Sequence, residues 1–184
     1  MQQLSKEVKE LLDSFFVLDH LRRLCCILVQ RFLVLRNCDL EEWAADPEGF
    51  ALEQDVTNWK DRIRPCAEAL YLTLLENFRE PLAPVKMLEE SNNACPPPSS
   101  PDITVELSHA LLQKEAVYNA IGIAAFDLYD YLDFSLLFNS SLLREMQLHH
   151  PNARILLRRC SWLIGRWVSK VCLHEQPHHA VRAA

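Results

Sequence analysis

Apolar residues return at every third or fourth position in one segment after another, and this constrains the chain more than any other feature. Leu4, Val8, Leu11, Leu12, Phe15 and Leu18 mark a first stripe, with Lys6, Lys9, Glu10 and Asp13 between them. Leu21, Leu24, Leu28 and Leu35 mark a second, widened by Cys25, Ile27 and Val34 as a helix buried on more than one side requires. Little room is left for a linker, so these two helices should fold back as a hairpin near Asp19 or His20. Ile63, Cys66, Ala67, Leu70, Leu74 and Phe78 form a third stripe. A shorter helix from about Pro81 to Glu90 follows, its proline in the first turn where a missing N–H costs nothing.

Helical spacing resumes from Thr104. Val117, Ile121, Ala124, Leu128 and Tyr131 lie on one face, and Ala120, Gly122, Ala124 and Ala125 keep part of that helix thin enough for a neighbour to approach closely. Asp133 is placed to cap a helix from Phe134 to about Gln147. Pro151 and Asn152 introduce a last helix, in which Leu156, Cys160, Leu163, Trp167 and Val171 share a face.

These stripes predict an all-α chain. It has only three glycines and no Asn-Gly or Asp-Gly pair, so the turn chemistry of β-hairpins is missing. Antiparallel helix pairs with their loops occupy units of roughly 40 to 50 residues, the scale of HEAT-type repeats. The expected architecture is an α-solenoid over residues 1–170, with about three helix pairs plus one unpaired helix. A compact bundle is the competing arrangement. The solenoid is preferred because long insertions interrupt the pairs without disturbing a shared core. An unpaired last helix would leave some of Leu156, Leu163 and Trp167 exposed, and the isolated chain would then self-associate.

Two stretches break the pattern. Residues 39–61 carry Asp39, Glu41, Glu42, Asp46, Glu48, Glu53, Asp55 and Asp61 against Lys60, punctuated by Trp43, Phe50 and Trp59. They read as a long, partly helical acidic loop pinned by its aromatics. Glu41, Glu42, Asp46 and Glu48 are the candidate contact residues for a basic protein partner, the alternative being a solvated connector. Residues 92–103, with Pro96, Pro97, Pro98, Ser99 and Ser100, read as a flexible or extended connector. The last residues, 171–184, read as a disordered tail.

Composition bounds the function. Hydrophobic residues make up 49% and charged residues 24%, as in a folded soluble protein. The net charge of −6 gives no reason to bind nucleic acid and suits basic protein partners better. Arg22, Arg23, Gln30 and Arg31 break the densest apolar runs, so no membrane span is expected, and the N-terminus has no signal-peptide pattern. The seven cysteines are odd in number and form no Cys-x-x-Cys pair. They read as small apolar core residues in a reducing compartment, cytosolic or nuclear.

Catalytic signatures are weak. His174, Glu175 and His178 match the zinc-hydrolase pattern His-Glu-x-x-His in letter. That chemistry needs both histidines one helical turn apart on a helix, and Pro177 breaks such a turn. A zinc hydrolase is therefore a remote alternative, and neither a metal nor a cofactor site is expected. Carboxylates are read as lying on solvated faces or in the acidic loop. The basic face of the last helix (Arg154, Arg158, Arg159, Arg166, Lys170) has two readings, a phosphate site or pairing with acidic helices of the same chain.

The segment from Asp39 to Phe50 resembles the acidic Glu-x-Trp/Phe, Asp-Pro-x-x-Phe/Tyr stretch of the importin-β (karyopherin) superfamily of nuclear transport receptors. Lys114–Phe134 and Arg158–Ser169 resemble the same superfamily, most closely its importin-11 group, as does Arg64-Pro-Cys-Ala-Glu68. The resemblance covers nearly all of residues 1–170. It implies a HEAT superhelix without enzymatic activity, working in the cytoplasm, nucleus and nuclear pore. The implied partners are protein cargo, the Ran GTPase and phenylalanine-glycine nucleoporins; an exportin or a HEAT scaffold outside transport is the alternative. Such receptors are several times longer, so the match is to an internal portion. No Ran-binding residue is carried over.

Overall fold

The computed structural model describes residues 6–7, 14–50, 62–82, 105–149 and 153–174. Most of the first stripe, the end of the acidic segment, the Pro-rich connector and residues 175–184 lie outside the described residues. No strand occurs among the described ones.

The first hairpin breaks at Phe16 and Val17, just before the expected Asp19, and His20 Nδ1 meets the Phe15 carbonyl oxygen at 3.0 Å. Helix α1 (Leu18–Ile27) then runs into a π turn over Leu28–Phe32. The wider turn shifts the helical register. Leu28, Val29 and Leu33 therefore follow Leu21 and Cys25 into the core, while Ile27 and Phe32 face outward. Helix α2 (Asn37–Ala45) starts where Asp39 Oδ2 accepts the Arg36 backbone N–H at 2.8 Å.

Helix α3 (Ile63–Asn77) buries Arg64, Ala67, Tyr71, Leu74 and Leu75. This differs from the expected stripe, because Ile63, Cys66 and Leu70 are exposed. The helix is rotated about its axis by two inward groups: Arg64, drawn to Glu115, and Tyr71, buried in the core. Helix α4 (Arg79–Leu82) follows, with Pro81 in its first turn.

Helix α5 (Val105–Ile123) is the centre of the molecule, buried without interruption from Lys114 to Gly122. A side chain at Gly122 would run into the Trp162 ring, so this glycine does create the close approach foreseen for it. The helix breaks at Ala124 and continues as α6 (Ala125–Leu128); Tyr131, in the turn beyond, is exposed. Asp133 Oδ1 accepts the Leu136 N–H at 2.9 Å and caps α7 (Phe134–Leu137). A second π turn over Phe138–Leu142 leads into α8 (Leu143–Glu145).

Helix α9 (Arg154–His174) runs past residue 170 and packs along α5. Leu156, Leu163 and Trp167 are all buried, which corrects the expectation that this helix is left bare on that face. The Trp167 ring stacks on Phe134 at 4.9 Å and on Tyr129 at 6.3 Å. Burying each of the two leucines stabilises the fold by about 1.5–3 kcal/mol relative to exposure, enough to fix the helix in place.

Side-chain contacts give the helix directions. Arg64 meets Glu115 and Glu68 meets Asn119, so residue numbers rise together and α3 and α5 are parallel. The contacts Arg159–Glu115, Trp162–Gly122 and Trp167–Tyr129 make α9 parallel to α5 in the same way. Across the stack the order reverses: Phe78 at the end of α3 stacks on Phe16 just before α1, while α3 also packs on the π turn that follows α1, so α1 runs antiparallel to α3. The chain turns back through residues 129–133 from α6 into α7, which returns through α8 beside α5. Parallel helices stacked in one layer, with antiparallel partners in a second, make an α-solenoid of HEAT type.

Candidate functional site

The four candidate carboxylates lie close together on the surface, and the structure separates their roles. Glu41 and Glu42 stand on the exposed side of α2, opposite Leu40 and Trp43, which pack against the core. Glu42 receives both terminal nitrogens of Arg62 at 2.9 and 3.3 Å, tying α2 to the start of α3. Asp46 ends α2, and its Oδ1 accepts the Gly49 N–H at 3.0 Å. Glu41 and Glu48 are exposed and carry no partner among the described residues. The neighbouring Asp39, counted with the same acidic stretch, is buried and serves as the cap of α2.

The aromatics hold this segment down. Phe50 is buried, and the Arg158 guanidinium lies 5.6 Å from its ring centre. Through Arg62 at one end and Arg158 at the other, the acidic segment spans from α3 to α9. Such anchoring presents Glu41 and Glu48 on a fixed surface, so a partner would not have to order them on binding.

Other carboxylates are placed where helical periodicity did not put them. Glu115 and Glu145 are fully buried, against the expectation of solvated faces. Glu115 Oε1 accepts from Arg159 Nε at 2.6 Å, and Arg64 Nη2 lies 3.3 Å from Oε2. Glu145 pairs with Lys114 and accepts the Tyr118 hydroxyl at 2.6 Å. Burial alone would raise the Glu115 pKa, but Arg159 and Arg64 outweigh it and hold the carboxyl below its ordinary range. The basic face of α9 is therefore partly internal: Arg159 is buried in an ion pair and lies 4.5 Å from the Trp162 ring centre. The usable sequence signal is two polar i,i+4 pairs, Lys114/Tyr118 and Glu115/Asn119, which run into the apolar stretch Ala120–Ile123 of the same helix.

The thiols of Cys25 and Cys160 are pushed up to about 12, by burial first and by Cys26 and Glu145 respectively second. Neither is an available thiolate. Cys38 and Cys66 are exposed, which departs from their reading as core residues. Among the described residues no group of three His, Cys, Asp or Glu could hold a metal ion, and no helix is long and apolar enough to cross a membrane. His174 ends α9, while Glu175 and His178 of the zinc-like motif lie outside the described residues.

The class defined by this fold is a HEAT-type α-solenoid. No protein-family model matches the chain. Over 164 residues it is 38% identical to importin-11 of Mus musculus, a match covering 89% of this chain and 16% of that protein. It is 31% identical over 159 residues to the importin beta-like protein KAP120 of Saccharomyces cerevisiae, covering 83% of this chain and 14% of the relative. The solved structure of Lph2, a bidirectional nuclear transport receptor of S. cerevisiae, superposes with a TM-score of 0.63 at 29% identity, covering 81% of this chain and 14% of that one. The chain is a relative of the importin-β family of nuclear transport receptors and resembles importin-11. It spans about 16% of the length of that relative.

Proposed function

We propose that this chain supplies a repeat segment of a nuclear transport receptor for protein import, moving between cytoplasm and nucleus through the pore. The observation that carries the reading is its likeness to importin-11 over 164 residues, on a fold of the same kind as a solved transport receptor. Its partners are protein cargo, Ran and phenylalanine-glycine nucleoporins, and it works by contact with no catalytic step. Within it, Glu41, Glu42, Asp46 and Glu48 form the contact surface for a basic protein. Glu41 and Glu48 are the primary contacts, since Glu42 is engaged by Arg62 and Asp46 by Gly49.

A pull-down with the purified chain tests this against Ran-GTP, phenylalanine-glycine pore repeats and a protein with a basic tail. Retention is expected for at least one transport component. The Glu41→Gln/Glu48→Gln variant should weaken the basic protein several-fold at low salt, where surface electrostatics is strongest. Retention of no transport component would remove the transport reading. Unchanged affinity of the variant would return the acidic segment to a solvated connector.

A further inference from the structure

The two π turns occupy matching places, each within a helical segment of the second layer, and each adds one residue to its segment. The Leu33 N–H reaches the Leu28 carbonyl oxygen at 2.9 Å, five residues back, and the Leu143 N–H reaches that of Phe138 in the same way. Such turns occur mostly as single bulges inside α-helices, frequently at functional sites. The two differ in what an ordinary α turn would bring inward. Each α residue advances about 100° around the axis, so losing the bulge while the downstream end stays fixed turns the upstream end by about one residue.

In α1 the other register is closed. Leu21, Cys25 and Val29 are buried, and with Leu33 held in the core an α turn would put Arg22, Cys26 and Gln30 in their places. An arginine and an amide would then enter where two apolar side chains now pack, a costly exchange. Between Phe134 and Glu145 the other register is open. Leu137 is buried and Phe138 is partly buried against the core, and an α turn would bring Phe138 to the position of Leu137, one apolar side chain for another. Phe134 would leave the Trp167 ring on which it stacks at 4.9 Å, and Ser135 would take its position.

The downstream end is clamped in either register. Glu145 is fully buried, pairs with Lys114 and accepts the Tyr118 hydroxyl at 2.6 Å. The Ser141 side chain hydrogen-bonds the same tyrosine. Ser141, Leu142 and Glu145 point inward with or without the bulge, so only the residues before them turn.

We propose that Phe138–Leu142 is a register switch: residues 134–140 turn about the clamp at Ser141–Glu145, exchanging Leu137 for Phe138 in the core and releasing Phe134 from Trp167. The turn at Leu28–Phe32 is its locked counterpart. Because Trp167 belongs to α9, the switch changes how α7 holds α9 without unfolding either helix. It rests on the two registers and is independent of the transport reading.

Labelling of introduced cysteines by a thiol reagent, read by mass spectrometry after digestion, tests this on the whole 184-residue chain. Leu137→Cys should react through the switch, at a rate that low urea hardly changes, and roughly tenfold or more faster than Leu142→Cys, which stays inward in both registers. Leu21→Cys should react only as fast as Leu142→Cys. Deleting Ser140 removes the extra residue and leaves Leu137 inward in a regular helix. Leu137→Cys in that background should slow to the rate of Leu142→Cys. Phe138→Asp, which would carry a carboxylate into the core on switching, should slow it as well, and replaces the deletion wherever circular dichroism shows that helix has been lost. Leu137→Cys reacting no faster than Leu142→Cys would overturn the proposal. So would a rate at position 137 that neither folded variant slows, or Leu21→Cys reacting as fast as Leu137→Cys.

Discussion

Two acidic regions of this molecule behave in opposite ways. Glu115 and Glu145 lie inside, each held by cations brought from other helices, whereas Glu41 and Glu48 stand on the surface with no partner among the described residues. The buried pair shows what charge does when water is excluded. It adds little net stability over apolar packing, but an arrangement that leaves any member unpaired becomes prohibitive. Position, not attraction, is what Lys114 and Glu115 contribute: they fix how far α5 slides against α3, α8 and α9. The surface carboxylates fix nothing in the fold and are left available for a partner.

The contrast can be broken from its inner side first. Glu115→Ala leaves Arg64 and Arg159 without their shared carboxylate, and should destabilise the chain by about 3–5 kcal/mol, measured by urea denaturation. Restoring stability by also replacing both arginines with apolar residues would confirm that the loss comes from stranded charge. A destabilisation below about 1 kcal/mol for the single variant would mean that water reaches the site.

A smaller and graded loss is expected from acid. The folded-state pKa of Glu115 lies below its ordinary value of 4.5. Its contribution to stability is therefore present above pH 4.5 and disappears as pH falls through the depressed folded value. Denaturation midpoints measured across that window should fall in the wild type. Glu115→Gln should flatten part of that fall; an identical pH profile would show that other carboxylates carry it.

The least effect is expected on the outside. Glu41→Gln/Glu48→Gln should shift unfolding free energy by no more than about 0.5 kcal/mol. A larger loss would erase the distinction between the two regions, since it would give the surface pair a structural task.

Much of the fold is legible in the sequence because helix existence depends on spacing alone. The Asp133 cap and the thin stretch at Gly122 were readable for the same reason, being local rules. Which face of a helix is buried was less readable. Ile63, Cys66 and Leu70 keep perfect helical spacing yet face outward, since Arg64 finds a carboxylate 51 residues away and turns the helix with it. The two π turns displace the buried set of α1 and of the α7–α8 segment, a change that no fixed period can represent. Leu156, Leu163 and Trp167 read as a bare face because sequence order pairs neighbours in the chain, while α9 packs on α5, with α6, α7 and α8 between them in sequence. For the surface, the sequence located the acidic group but could not rank its members. Only coordinates show Arg62 taking Glu42, and Gly49 taking Asp46.

The parallel contacts between α3 and α5 also bear on which changes of length the chain tolerates. Arg64 meeting Glu115 and Glu68 meeting Asn119 set the spacing between successive repeats without reference to the residues that join them. A single residue inserted between positions 115 and 119 would turn Asn119 by about 100° around α5 relative to Glu115 and so break one of these two contacts with α3.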